Sequence, residues 1–394
     1  MMRLTAFLAI TWAIIFRLAL GLFPGSWAVV LGLAAYTTIP LLVFLRRLGW
    51  PFYPGVLFRL FVTRAVLYTI LVLPLVSGAG LLGLLGGLPF GQSLLVGRIL
   101  AGAVLAIVAT ILALGYIGSK QLVVRRVDVD VPGLPAGFDG LRIAQLSDLH
   151  VGPHIPRRFL DRVVHTTQTL EPDLIAVTGD LIDDRAEDVG VYAKQLGALA
   201  APLGVYMIPG NHDVYAGWEE VESALLAANL GRVMVNEATT ISRGDDSLVL
   251  VGTGDPAGGR RGSSRAAPDI ERAMADVPAD ATVIAFAHNP ALWPKLAERG
   301  VALTLSGHTH WGQFALPRLG WSLASPFLEH AMGAHIIDEA QLYISPGTGY
   351  WGIPFRLGAS PEVTLVTLRR AQTAGARVHA ARPASHRLAY VPAT

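Results

Sequence analysis

Asp148-Leu149-His150, Gly179-Asp180, Gly210-Asn211-His212-Asp213, Ala287-His288-Asn289 and Gly307-His308-Thr309-His310 each follow a short apolar run and offer carboxylate, amide or imidazole groups. Mixed oxygen and nitrogen donors of these kinds suit divalent Mn, Fe or Zn. The chain has no cysteine, which excludes disulfides, thiolate ligands and cysteine nucleophiles. Asp148 and His150 are two residues apart, as are His308 and His310, so on an extended segment both members of a pair project to one side. Taken singly, Asp180 can cap a helix, Asn211 can shape a turn and His288 can be a satisfied core histidine. Five such segments at successive run ends point instead to one shared site. Two divalent ions about 3.5–4 Å apart can share a hydroxide that attacks a phosphoryl group in line, with a bridging carboxylate setting the spacing.

The elements that must position these residues are legible as hydrophobic patterns. From Lys120 the sequence alternates, with Val123, Val127, Val129 and Val131 on one side, and predicts a half-buried strand before a Pro/Gly turn at 132–140. Apolar runs at 141–146, 174–178, 205–208, 248–251, 282–287, 303–305 and 342–344 predict buried strands. Helical spacing at 156–170, 188–199, 218–230, 268–275 and 290–299 alternates with them, giving an α/β or mixed layered domain. Its loaded residues lie just past the strand ends, where sheets of this kind place ligands.

The first third of the chain is chemically different. Residues 1–127 hold ten Lys and Arg and no Asp or Glu, so all 29 acidic residues lie beyond them. Neither part argues for nucleic-acid binding, because the basic part is apolar and the remainder is net acidic. Stretches near 4–23, 27–45, 65–86 and 99–117 approach the ~20 residues needed to span a bilayer. Residues 1–119 are therefore expected to form a transmembrane helical domain of about four spans, without a cleaved signal peptide. Arg3, Arg46, Arg47, Arg59, Arg64, Lys120, Arg125 and Arg126 then share one face and Arg98 the other, which puts both termini in the cytoplasm. Pro74, Gly78 and Gly80 are the places where the third span would split and reverse that assignment. Arg17 inside the first span is either functional or a snorkelling side chain. Paired acidic residues are missing, so coupled cation transport has no support.

The order Asp-x-His, Gly-Asp, Gly-Asn-His-Asp, His, Gly-His-x-His resembles that of calcineurin-like metallophosphoesterases over roughly residues 123–368. Leu141-Arg142-Ile143 before Ser147-Asp148, Gln313 after the last histidine pair, and Gly352-Ile353-Pro354-Phe355-Arg356 before Pro361-Glu362 are similar to signatures of the membrane-associated YkuE/YaeI-type phosphodiesterases. Trp311 departs from the pattern, which has glycine there. The resemblance implies a four-layer sandwich over 120–370, two mixed sheets flanked by helices. It implies that Asp148, His150 and His310 hold one metal ion, that Asn211, His288 and His308 hold a second, and that Asp180 bridges them. His212 would assist the leaving oxygen.

Other residues have plainer expected roles. His154 reads as a surface-loop histidine, with contact to substrate or to a metal's outer shell as the alternative, Asp255 as a turn residue, and Asp183 and Asp184 as solvated or behind the ligands. Trp311, Phe314, Trp321, Phe327, Tyr350 and Trp351 read as core packing, although 314–335 is long enough for a lid or a membrane-facing lip. His330 and His335 are unassigned, and 371–394 reads as a disordered tail. The leading function is a membrane-anchored phosphoesterase cleaving a phosphodiester or pyrophosphate, with a lipid-linked substrate such as UDP-2,3-diacylglucosamine implied by the subgroup. The alternatives are a phosphodiesterase for soluble or cyclic nucleotides and a non-catalytic membrane scaffold or sensor.

Overall fold

The computed structural model describes residues 2–19, 26–47, 56–261 and 265–371; of the expected tail, all but Ala371 lies outside them. The chain forms two units, Met1–Leu114 and Gly115–Thr394.

In the first unit α1 (Met2–Ala19), α2 (Ser26–Arg47), α3 (Val56–Phe58), a π turn (Arg59–Thr63), α4 (Arg64–Gly86) and most of α5 (Ser93–Gly118) follow one another; the last residues of α5, from Gly115, belong to the second unit. Among the described residues three stretches, Ser26–Phe44, Leu60–Gly86 and Ser93–Gly118, are long and apolar enough to cross a bilayer. The expected first span reaches this only as the shorter apolar stretch Ala6–Ala19. At 1.5 Å per residue such a helix falls short of a hydrocarbon core about 30 Å thick. The third span does not split, because α4 runs unbroken past Pro74. Arg17 falls in the last turn of α1. Glycine does structural work between α4 and α5: a Cβ on Gly83 would meet the backbone of Gly97, so the two helices approach backbone to backbone. Arg98 Nε donates to the Leu18 carbonyl at 2.8 Å, satisfying an acceptor at the end of α1.

The second unit is built on two six-stranded sheets. The first has the order β1 (Val123–Val131), β14 (Glu362–Arg370), β2 (Arg142–Leu146), β3 (Leu174–Thr178), β4 (Val205–Ile208) and β5 (Arg232–Val233). The second runs β12 (Gly333–Ile337), β13 (Ala340–Ile344), β9 (Leu303–Ser306), β8 (Val283–Phe286), β7 (Asp246–Gly252) and β6 (Glu237–Arg243). Each is mixed: β14 runs antiparallel to β2 in the first, and β6 and β12 run antiparallel to their neighbours in the second. A separate ribbon pairs β10 (Ala315–Leu316) with β11 (Trp321–Ser322).

Period-two burial shows why the expected runs are continuously apolar. Along β3, Leu174 and Ala176 enter the layer between the sheets, while Ile175 and Val177 enter the outer layer. In that outer layer they pack with α6 (Arg157–Thr169), α7 (Glu187–Leu196) and α9 (Trp218–Ala227), through Leu160, Leu196 and Val221. Along β8, Ile284 and Phe286 face the central layer, and Val283 and Ala285 face α11 (Ile270–Met274) and α12 (Trp293–Glu298). A strand covered on both faces has no polar side to expose. The result is helix, sheet, sheet, helix. Two short helices, α8 (Asn211–Tyr215) and α10 (Pro256–Arg261), follow β4 and β7.

Candidate metal centre

The five expected segments converge where β2, β3 and β4 of one sheet and β8 and β9 of the other end. Around one point, His150 Nε2 and His310 Nε2 are 2.9 Å apart, His310 Nε2 is 3.2 Å from Asp148 Oδ1, and His150 Nε2 is 3.7 Å from Asp180 Oδ2. Around a neighbouring point, His288 Nε2 is 3.3 Å from Asp180 Oδ2 and 3.2 Å from Asn211 Oδ1, which His308 Nδ1 approaches to 2.7 Å. Asp180 Oδ2 is common to both groups. Asp148, His150, Asp180 and His288 are at most 2% exposed.

The backbone that presents these groups differs from expectation. Asp148, His150, His308 and His310 have φ of 51°, 46°, 73° and 49°, so neither pair stands on an extended segment. Left-handed non-glycine residues cost of order 1–3 kcal/mol each and persist where their surroundings over-determine them. Here Asp148 N donates to Gly179 O and His150 N to Asp180 O, both at 3.0 Å, while His308 N donates to the Asp148 carboxylate at 3.1 Å. Gly307 must lack a Cβ, which would collide with Ser147 Oγ and the Asp148 carboxylate. Trp311, at φ 48°, occupies a conformation that favours glycine, which explains why its side chain looks foreign there.

Donor geometry tests whether metal ions fit. His288 Nδ1 lies 2.8 Å from the Thr178 carbonyl, which can only accept, so this nitrogen carries the proton. The Nε2 lone pair of the neutral ring then faces the oxygens of Asp180 and Asn211. Three lone pairs turned on one point repel each other unless a cation or a proton lies between them. Burial opposes charge on His288, but the Asp180, Asp148 and Asp255 carboxylates outweigh it and push its pKa well above the usual histidine range. Burial and the neighbouring His288 instead bring His308 down to about 4. For His150, burial is outweighed by Asp183, Asp180 and Asp148, and its pKa is raised; for His310, burial and Arg356 together push it well down. Asp180 is held well below the carboxylate range because His288, His212 and His150 overcome its burial. Two carboxylates, four imidazoles and an amide, with no lysine or arginine among them, fit a pair of divalent cations.

His212 stands beside this set. Its Nδ1 donates to the Asp183 carbonyl at 2.9 Å, which leaves Nε2 as the free ring nitrogen, and its backbone N–H donates to Asp180 Oδ1 at 2.7 Å. Its ring meets those of His150 at 4.7 Å and Trp351 at 6.0 Å between centroids.

Four residues matter more than their sequence context suggests. Asp183 lies 3.3 Å from His150 Nδ1 and 3.6 Å from the Nδ1 atoms of His212 and His154, so it orients rings on both sides. His154 is thereby corrected from a surface residue: its side chain is 7% exposed, and its ring lies 5.5 Å from that of Tyr350. Asp213 accepts from the backbone N–H groups of Gly210, Ile182 and Leu181 at 2.9, 3.0 and 3.3 Å, tying the third segment to the second. Burial and Asp180 raise its pKa to about 6. Arg356, 1% exposed, donates to His310 Nδ1 at 2.8 Å and to the carbonyls of His310, Pro346 and Gly349. Burial lowers its pKa to about 10, so it stays charged at neutral pH. Its sequence signal was its place in Gly352-Ile353-Pro354-Phe355-Arg356, which carried the resemblance but not the role. Asp255 shapes a turn as expected, accepting from Ala257 N at 2.8 Å.

Fold and site together define a sandwich of two mixed sheets with a metal-binding centre at their shared ends. Residues 141–312 match the model of the calcineurin-like phosphoesterase family. The chain is 32% identical over 239 residues to the uncharacterized metallophosphoesterase YkuE of Bacillus subtilis, covering 60% of this chain and 82% of that one. An uncharacterized metallophosphoesterase of Aquifex aeolicus is 30% identical over 262 residues, covering 65% of this chain and 95% of its own. The transmembrane protein with metallophosphoesterase domain of Bos taurus is 34% identical over 280 residues, covering 68% of this chain; the match spans 62% of the bovine protein. The chain belongs to the metallophosphoesterase family.

Proposed function

We propose that the second unit is a two-metal phosphoesterase that hydrolyses a phosphodiester or pyrophosphate bond next to a membrane. The carrying observation is the pair of donor groups sharing Asp180 Oδ2, with the His288 lone pair facing oxygens. Asp148, His150 and His310 would hold one ion, Asn211, His288 and His308 the other, and Asp180 both. When bound, the ions supply an activated water and neutralise phosphoryl charge. Two carboxylates against two divalent ions leave a net positive site for an anionic substrate. Trp351 and His212 border its entrance, and His212 Nε2 delivers a proton to the leaving oxygen. The Asp183 carbonyl keeps that ring turned the right way.

The test is a pH series on the full chain, loaded with Mn, Zn or Fe, using bis-p-nitrophenyl phosphate and its monoester. Diester cleavage is expected, lost on chelation and regained with metal. It is also expected to weaken on acidification, because protons compete with the ion for the His288 ring, whose protonated form the neighbouring Asp180, Asp148 and Asp255 carboxylates favour in the metal-free site. No cleavage of either ester or of a lipid pyrophosphate by the metal-loaded protein would leave a non-catalytic scaffold.

We propose that the catalytic unit lies on the cytoplasmic face of a bacterial inner membrane. Arg46, Arg47 and Arg59 precede α4 and Arg64 begins it, only Arg98 follows it at the far side, and Lys120, Arg125 and Arg126 follow α5. With α4 and α5 both crossing, these two basic groups share a side whether or not α1 crosses. Protease added to inside-out membrane vesicles should digest the catalytic unit; digestion only in right-side-out vesicles reverses the assignment.

A further inference from the structure

Between Phe314 and Leu328 the catalytic unit exposes large apolar side chains with only one charge, Arg318, among them. Leu316, Leu319, Trp321, Leu323 and Phe327 are 42, 75, 37, 49 and 84% exposed on and beside the β10–β11 ribbon. Large exposed apolar side chains concentrated in one short segment in this way mark a contact with a partner or a membrane.

Neighbouring contacts within the same unit identify the partner. The Phe314 ring meets Trp321 edge-on at 6.2 Å and stacks on Phe355 at 6.4 Å between centroids. Phe355 in turn fills the space beside Gly115, where a Cβ would collide with its ring, and Arg356 N donates to Gly115 O at 2.8 Å. Gly115 lies in the last turn of α5, the end of the span-length stretch Ser93–Gly118. Beside it Lys120 Nζ sits 3.8 Å from the centroid of the Tyr116 ring, and Tyr116 and Ile117 are 48 and 54% exposed. Aromatic and basic side chains at a span's end mark the headgroup level of a bilayer. The ribbon is therefore joined, through the rings of Phe314 and Phe355 packed against Gly115, to the end of the span-length stretch.

Its other end is joined to the metal centre. Thr309 Oγ1 donates to Ala331 O at 2.6 Å, and Gln313 and Trp351 exchange two hydrogen bonds of 3.0 Å beside His212. We propose that 314–328 is an interfacial lip that seats Leu319, Trp321 and Phe327 among lipid headgroups and holds the metal centre against phosphoesters carried on lipids. The second clause rests on the phosphoesterase reading; the first does not.

The absence of cysteine allows single labels. Leu319→Cys, Phe327→Cys and, as an exposed site outside the lip, Asp280→Cys would each carry an environment-sensitive fluorophore in the full chain. The proteins would be placed in vesicles of phosphatidylcholine and phosphatidylglycerol containing lipids with a nitroxide near the headgroup. Labels at 319 and 327 are expected to shift to the blue and be quenched, and the label at 280 is not. Equal responses at all three sites, or quenching that follows protein concentration instead of nitroxide, overturns the lip; the latter assigns the surface to a second copy. Leu319→Ser with Phe327→Ser alters only exposed side chains. This pair is expected to slow hydrolysis of a vesicle-borne lipid phosphodiester by roughly tenfold or more, the equivalent of one lost buried apolar side chain. Turnover of bis-p-nitrophenyl phosphate should stay at the unsubstituted level. Equal losses on both substrates refute presentation by the lip. Inactivity of the unsubstituted protein on both refutes the phosphoesterase reading and leaves the quenching result standing.

Discussion

Replacing Asp180 by alanine is expected to abolish diester cleavage and to empty both halves of the metal centre together. Its Oδ2 lies 3.7 Å from His150 Nε2 and 3.3 Å from His288 Nε2, so its removal takes a donor from each group. Its Oδ1 also accepts from His212 N at 2.7 Å, so the segment carrying Asn211 loses its anchor. Metal ions supply several kcal/mol of transition-state charge stabilisation, and each 1.4 kcal/mol is a factor of ten, so the loss should be roughly 10³-fold or more. The fold should survive. Asp180 sits in a cluster of mutually repelling donors, and without metal its removal relieves one carboxylate while Asp213 still holds Gly210 and Ile182. The check is metal content by mass spectrometry beside kcat: full stoichiometry with high residual activity would show that Asp180 does not bridge.

His212→Ala should separate binding from proton transfer. The substitution keeps the backbone N–H on Asp180 and removes only the ring, so metal content is expected to remain at the unsubstituted level. Loss of a positioned general acid costs typically about 10²–10⁴-fold. The loss should depend on the leaving group: small for p-nitrophenolate, which departs without a proton, and large for an alkoxide. Asp183→Asn provides the contrast. It leaves the carbonyl that holds His212 Nδ1 but weakens the carboxylate contacts to His150 and His154, so a decline in metal affinity should accompany any loss of rate. A leaving-group-independent loss in His212→Ala would remove the proposed acid role.

The contrast between Asp180 and Asp183 also shows how far the chain could be read without its fold. Both follow β3, within one tetrapeptide, and resemblance alone separated a proposed bridge from a residue expected in solvent or behind the ligands. Asp183 is buried and touches three histidines, the second of those two places, because the turn after β3 folds back on the loop after β2. Trp311 shows the same limit. Its departure from the family pattern was visible, but that the position has φ 48° was not.

What the sequence determined by itself was local chemistry. It supplied five segments of oxygen and imidazole donors, the apolar runs of β2, β3, β4, β8 and β9, and the acid-free apolar helices, because each depends on residue type and short-range periodicity; the division of those donors into seven proposed ligands and His212 came from the family resemblance. What only the tertiary structure decided depends on contacts between distant segments. Strand β14 inserts between β1 and β2, more than 200 residues away, and no local pattern carries that register. Arg356 reaches His310 across 46 residues, and His288 shows its lone pair to Asp180 only because Thr178, 110 residues earlier, takes the other nitrogen. The sequence supplies the donors, and the packing of two sheets against each other sets which lone pairs meet.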